Sequence, residues 1–125
     1  MKSLYSRLVA ASMLLLLVAC NFALPPLSSA VVERHSSGKQ VASVELNQAQ
    51  LTALSAWFAQ RSSGWSSSVV SYVPALVVRA KHSNGEVSVV NVLGATVIVY
   101  NSSGQFTQQF AEPDLAALNN ILGAR

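Results

Sequence analysis

Leu76-Val77-Val78-Arg79-Ala80-Lys81-His82-Ser83-Asn84-Gly85-Glu86-Val87 is the stretch that decides the fold class. Within it Leu76, Val78 and Ala80 alternate with Val77, Arg79 and Lys81, the period of two expected of a half-buried strand, and Pro74 marks the start of that strand or a bulge. Asn84-Gly85 then supplies hairpin chemistry. A type I′ turn needs positive φ at both central residues, which Asn tolerates and Gly adopts freely, so His82-Ser83 is expected to fold back beside Glu86-Val87. Downstream, Val87 to Val92 and Thr96 to Tyr100 read as strands with Gly94 between them, and Ser102-Ser103-Gly104 turns the chain into Gln105 to Phe110. Four antiparallel strands is the simplest arrangement.

A helix is expected on each side of this meander. Asn47 and Gln50 have capping-box spacing, and Leu51, Leu54, Trp57 and Phe58 recur at intervals of three and four to form one apolar stripe. Arg61 suits the negative end of the helix dipole, and Ser62-Ser63-Gly64 ends the helix. The opposite face, Ala49, Thr52, Ser55, Ala56 and Ala59, carries no charge and reads either as a small-residue solvent face or as a covered one. The second helix opens at Glu112-Pro113-Asp114, where proline and two carboxylates suit a first turn; Leu115, Leu118, Ile121 and Leu122 form its stripe, and Gly123 stops it. Both stripes can pack on one face of the sheet. The expected fold class is therefore α+β, a small antiparallel sheet of about four strands flanked by two helices on one face, in a domain over residues 44–125.

Upstream of that domain the composition changes. From Asn21 to about Ser43 the chain contains Pro25-Pro26, Ser28-Ser29 and Ser36-Ser37-Gly38 without sustained periodicity, so residues 20–43 read as a flexible tether. Val31-Val32 and Val41 to Leu46 are the places within or beside it where a first strand could form. Residues 1–19 have the parts of an export signal: Lys2 and Arg7, then an uncharged apolar run from Leu8 to Ala19. Such a run is too short to span a hydrocarbon layer, which needs roughly 20 helical residues.

That run ends in Leu17-Val18-Ala19-Cys20, which resembles the lipobox of bacterial lipoproteins: an aliphatic residue, a small or aliphatic one, a small one, then an obligatory cysteine. The resemblance covers residues 1–21. It implies that the Cys20 thiol takes a diacylglyceryl group as a thioether, that cleavage makes Cys20 the first residue, and that a palmitate-type lipid anchor holds the protein on the membrane. Two or three acyl chains on one residue hold durably where a single chain binds only marginally. Asn21, where an Asp often retains such proteins at the inner membrane, implies the outer membrane facing the periplasm. The competing reading is an ordinary secretory signal cut at Ser28-Ser29-Ala30, with Pro25-Pro26 intervening. Cys20 is the only cysteine, so no internal disulfide can form.

The charge balance argues against a nucleic-acid partner. With Lys2 and Arg7 in the leader, six basic and five acidic residues remain, a formal +1, so the pI of 9.4 reflects mainly the leader. Arg79 with Lys81 is too small a patch to follow phosphates. Catalytic material is sparse. His35 falls in the expected tether, His82 reads as a solvated turn histidine, and no Gly-x-Ser-x-Gly, His-Glu-x-x-His or Cys-x-x-Cys motif is present. No catalytic, metal or cofactor residues are assigned; the one site residue is Cys20, for lipidation.

Trp57, Trp65 and Tyr72 read as core plugs in preference to a glycan platform. The segment Val87 to Tyr100, rich in Val and Ile and free of charge, offers a strand for edge pairing with a partner unless its strands are central and buried. The functional expectation is a membrane-anchored, non-catalytic binding or structural lipoprotein with a protein partner, serving as an inhibitor, immunity or assembly factor. The alternative is a small envelope enzyme acting on cell-wall or periplasmic substrates; it requires His82, Glu86, Glu112 and Asp114 to converge in a pocket.

Overall fold

A computed structural model describes residues 21–123; the leader and Cys20 lie outside the described residues. The strands are β1 (Leu27–Ser36), β2 (Lys39–Glu45), β3 (Ser66–Ser67), β4 (Leu76–His82), β5 (Val87–Leu93), β6 (Thr96–Asn101) and β7 (Gly104–Gln109). The helices are α1 (Gln48–Ala59), after β2, and α2 (Glu112–Ile121), after β7. The class is mixed α and β, as expected, but the sheet has seven antiparallel strands in the order β2-β1-β4-β5-β6-β7-β3, not about four.

The expected meander is present as β4 to β7. What the sequence reading lacked is the β1–β2 hairpin, which occupies most of the interval assigned to a flexible tether. Val32, Val78, Val90, Val99 and Phe106 stand opposite one another across five strands, so they share a face. A valine on β1 thus extends a row already present on β4, β5 and β6. Ala30 and Val32 are 1% and 3% exposed. Polar residues flanking them obscured this strand, because Ser29, Glu33 and His35 lie on the other face, where Glu33 has its own partners.

Turn chemistry also differs from expectation at one hairpin. At Asn84-Gly85 only Gly85 has positive φ, +89°. The Gly85 amide donates to the His82 carbonyl and the His82 amide to that of Glu86, so the turn spans Ser83-Asn84 with Gly85 as an extra left-handed residue. The Asn84 side chain accepts from the Glu86 amide at 3.0 Å, holding Asn in an ordinary conformation and removing the need for type I′. The type I′ signature appears instead at Ser37-Gly38 between β1 and β2, with φ of +53° and +78°.

The helices form as their caps dictate. Asn47 accepts from the Gln50 amide at 2.9 Å while Gln50 Oε1 accepts from the Asn47 amide at 3.0 Å, completing the capping box. Leu51, Leu54, Trp57 and Phe58 are buried, and the far side of α1 is open, with Ala49, Thr52, Ala56 and Ala59 exposed. α2 begins with Glu112-Pro113-Asp114 and buries Leu115 and Leu118. These stripes and the valine rows form one core. The two helices are tied together: Gln50 Nε2 donates to the Ile121 carbonyl, Trp57 Nε1 to the Asp114 carbonyl, and Arg61 pairs with the Asp114 carboxylate at 2.7 Å while its guanidinium lies 4.6 Å from the Trp57 ring centre.

The N-terminal arm is fastened as well. Phe22 is 9% exposed, its amide donates to the Ser62 carbonyl, and its ring meets Phe106 at 4.7 Å and Trp65 at 5.3 Å. Residues 22–26 then run to the β4–β5 hairpin, where Pro26 accepts from the Ser83 amide. On the opposite sheet face, residues 68–75 form a strap from β3 to β4. Gln105 Nε2 donates to the Val70 carbonyl, and Asn91 both donates to the Val73 carbonyl and accepts from the Ala75 amide.

Candidate interaction surface

Three places on the domain carry chemistry. The first is His82, at the end of β4. Sequence reading placed it in solvent beside a turn; it is 2% exposed, because its position continues the inward row of Val78 and Ala80. Its Nδ1 lies 2.9 Å from the Pro25 carbonyl and its Nε2 lies 2.6 Å from Ser88 Oγ. A carbonyl can only accept, so Nδ1 donates to it, and Nε2 shares the second hydrogen bond with the serine hydroxyl. Ser88 Oγ in turn accepts from Asn101 Nδ2 at 3.3 Å.

Geometrically this is a serine hydroxyl within hydrogen-bond reach of an imidazole. Ser88, however, is 0% exposed, so the pair has no room for an acyl group beside it. Its physical effect is to bind the Pro25 arm to the sheet through a chain of satisfied polar groups. Nor do the other groups expected of an enzyme join it. The Asp114 carboxylate is engaged by Arg61, and His82 bonds to Pro25 and Ser88.

The second place is the outer sheet face. Glu33 on β1 is 7% exposed; its Oε2 accepts from Arg79 Nε at 2.7 Å and its Oε1 lies 3.2 Å from His35 Nε2. His35, expected in a tether, is thus a strand residue facing a carboxylate. Burial would raise the Glu33 pKa, but the hydrogen bonds and charges of Arg79 and His35 outweigh it and hold the carboxyl below its ordinary value. Beside this cluster lies a shallow groove of about 190 Å³, walled by Tyr72 and Pro74 of the strap, with Arg79, Asn91, Tyr100 and Gln105 around it. Of the three aromatics grouped by sequence, Trp57 and Trp65 are core residues at 3% and 7% exposure, whereas Tyr72 belongs to this other face.

A carboxyl held low in the folded chain adds stability above its unfolded pKa, and that contribution is lost as the pH falls through the folded value. Glu33→Gln is expected to cost roughly 1–2 kcal/mol at neutral pH, a modest figure because the Arg79 side chain is 55% exposed and screened. The same variant should reduce the acid dependence of stability, read by urea unfolding from about pH 7 to about pH 3. An unchanged pH slope would show that Glu33 keeps an ordinary pKa.

The third place is β2. All seven of its residues are exposed, including Val41 at 64% and Val44 at 62%. One side of the strand is bonded to β1; the other has no strand partner among the described residues and forms an edge of the sheet. The Leu46 amide donates to the Ala30 carbonyl, and Val44 stands opposite Val32, so by alternation the amides of Ser43 and Glu45 point outward. A register shift between Arg34 and His35 interrupts the pairing near Val41, leaving Ala42–Glu45 as the regular part of the edge. Of the two readings of Val87 to Tyr100, the central and buried one holds: β5 lies between β4 and β6, and β6 between β5 and β7, and Val90, Val97 and Val99 are at most 1% exposed. Charge-free composition there reflects burial. The β2 edge was legible only as the run Val41 to Leu46, without a sign that it would be outermost. Set against known proteins, the chain matches no family model, no curated protein and no solved structure.

Proposed function

We propose that the protein is a lipoprotein of a bacterial envelope, attached through Cys20 on the periplasmic side of the outer membrane, whose domain binds a partner protein without catalysis. The observation that carries the binding role is the free β2 edge. It presents outward amides at Ser43 and Glu45 beside exposed Val41 and Val44. An extended peptide of the partner can add there as an eighth strand, taking main-chain hydrogen bonds from the edge and side-chain contacts from the valines. An inhibitor, an immunity factor and an assembly factor are each compatible with such an edge. The attachment rests on Leu17-Val18-Ala19-Cys20.

Two experiments separate these parts. Cys20→Ala should release the protein from membranes and abolish incorporation of labelled fatty acid; unchanged fractionation with no label in the parent protein would refute lipidation. For the edge, a photo-crosslinker at Val44 should trap a discrete partner in intact cells, and one at Ala56 on the open side of α1 should not. Ser43→Pro removes one outward donor without touching the β1 ladder, so it should abolish the adduct with little loss of stability. Adducts that persist in Ser43→Pro at equal yield would rule out strand addition at this edge.

A further inference from the structure

Charged residues are distributed unevenly in this fold. Residues 62–78 and 87–111 contain no Asp, Glu, Lys or Arg, so β3, β5, β6, β7 and the strap are free of charge. Glu33, Arg34, Lys39, Glu45, Arg79 and Lys81 lie on β1, β2 and β4, at the other side of the sheet. The neutral side also has a concentration of exposed apolar groups. Val69 is fully exposed, Val70 is 58% exposed and Tyr100 59%. All three adjoin Gln105: the Ser68 amide donates to its carbonyl, its side chain donates to the Val70 carbonyl, and Tyr100 is its cross-strand partner.

The chain enters the domain at the same β7 margin of the sheet, on its helix-bearing face. Phe22 packs against Phe106, the neighbour of Gln105, and is held by Ser62 and Trp65. Consecutive Cα atoms are ~3.8 Å apart, so whatever path the backbone takes, Cys20 lies within roughly 8 Å of Phe22. A lipid on Cys20 would leave the domain almost no slack.

We infer that the corner formed by Val69, Val70, Tyr100 and the Ser102-Ser103 turn rests on the lipid headgroup layer, so that the β2 edge projects away from the membrane. This rests on the lipid attachment proposed above and adds an orientation to it. Exposed valines and a tyrosine suit the bilayer interface, where apolar side chains enter the acyl boundary and Tyr sits among headgroups. A surface without charge gains nothing from anionic lipid, so the contact depends on neither lipid charge nor salt. Five inter-strand steps of ~4.8 Å separate β7 from β2, placing the free edge roughly 24 Å across the sheet from this corner. A partner peptide could reach it there unobstructed.

The test uses the full lipidated chain reconstituted into phosphatidylethanolamine vesicles carrying a nitroxide headgroup quencher. With Cys20 modified, a single introduced cysteine is the only thiol, so a fluorescent label can be placed at Ser103→Cys near the corner or at Gln40→Cys on β2. Quenching should be several-fold stronger at position 103 than at 40, unchanged by 30% phosphatidylglycerol or by salt, and reduced at 103 by Val69→Ser with Val70→Ser. Equal quenching at both positions, in protein whose thioether lipid is verified by mass spectrometry, would overturn the orientation and leave the anchor standing. Protein without lipid, recovered in the soluble fraction, would overturn both. If position 103 stays unquenched and a crosslinker there traps a protein, the corner is a protein-binding surface and the inference is wrong.

Discussion

A chain shortened to residues 44–125, the segment that the sequence marks as a domain, is expected to be unfolded, whereas residues 21–125 should unfold cooperatively in urea. The cut removes β1 and all but the last two residues of β2, and with them Phe22, Ala30 and Val32 from the core. It also strips the ladder that pairs Ala30, Val32 and Arg34 with Ala80, Val78 and Leu76, turning β4 into a new edge over an opened core. Fully burying one Val or Phe side chain is worth about 1.5–3 kcal/mol, and a domain of this size has a net stability of only about 5–15 kcal/mol. Losing two such side chains, Ala30 and a full set of strand hydrogen bonds consumes that margin. A dispersed amide spectrum and a sigmoidal urea transition for residues 44–125 would show that the arm and β1 are accessory.

The second large effect is expected at Trp65. This ring lies between three parts of the molecule: Phe22 of the arm at 5.3 Å, Phe58 of α1 at 6.0 Å and Phe110, just past β7, at 5.6 Å. Its indole Nε1 also donates to the Arg61 carbonyl, just past the end of α1. Trp65→Ala should cost about 3–5 kcal/mol, since it empties a large volume that no neighbour can fill and leaves that carbonyl without its donor. Trp65→Phe keeps most of the packing and should cost distinctly less. Urea midpoints of the two variants, compared at equal m-values, check this; similar midpoints would mean that the ring contributes only its hydrogen bond.

Both expectations concern what the local sequence conceals. Pro25-Pro26, Ser28-Ser29 and Ser36-Ser37-Gly38 made residues 20–43 read as a tether, yet within that interval Glu33 bonds to His35 and to Arg79 on a face separate from the core. His82 next to a turn looked exposed; its burial follows from the length of the inward row on β4 and from a carbonyl at Pro25, 57 residues earlier. The β2 edge could not be distinguished from an inner strand either. Strand order is a matter of partners far along the chain, and a period of two is the same in the middle of a sheet as at its margin.

What the sequence by itself determined is what is set within a few residues: the capping box at Asn47, the two helical stripes, the turns after His82 and Asn101 and the alternation of β4. Side-chain period and turn chemistry are local physics, and they suffice to place elements. Only the tertiary structure decided which elements belong to the sheet, that Phe22 closes its corner, and that β2 is left with free amides. Those outcomes depend on which apolar rows find each other across the fold, a choice made by burial between distant segments.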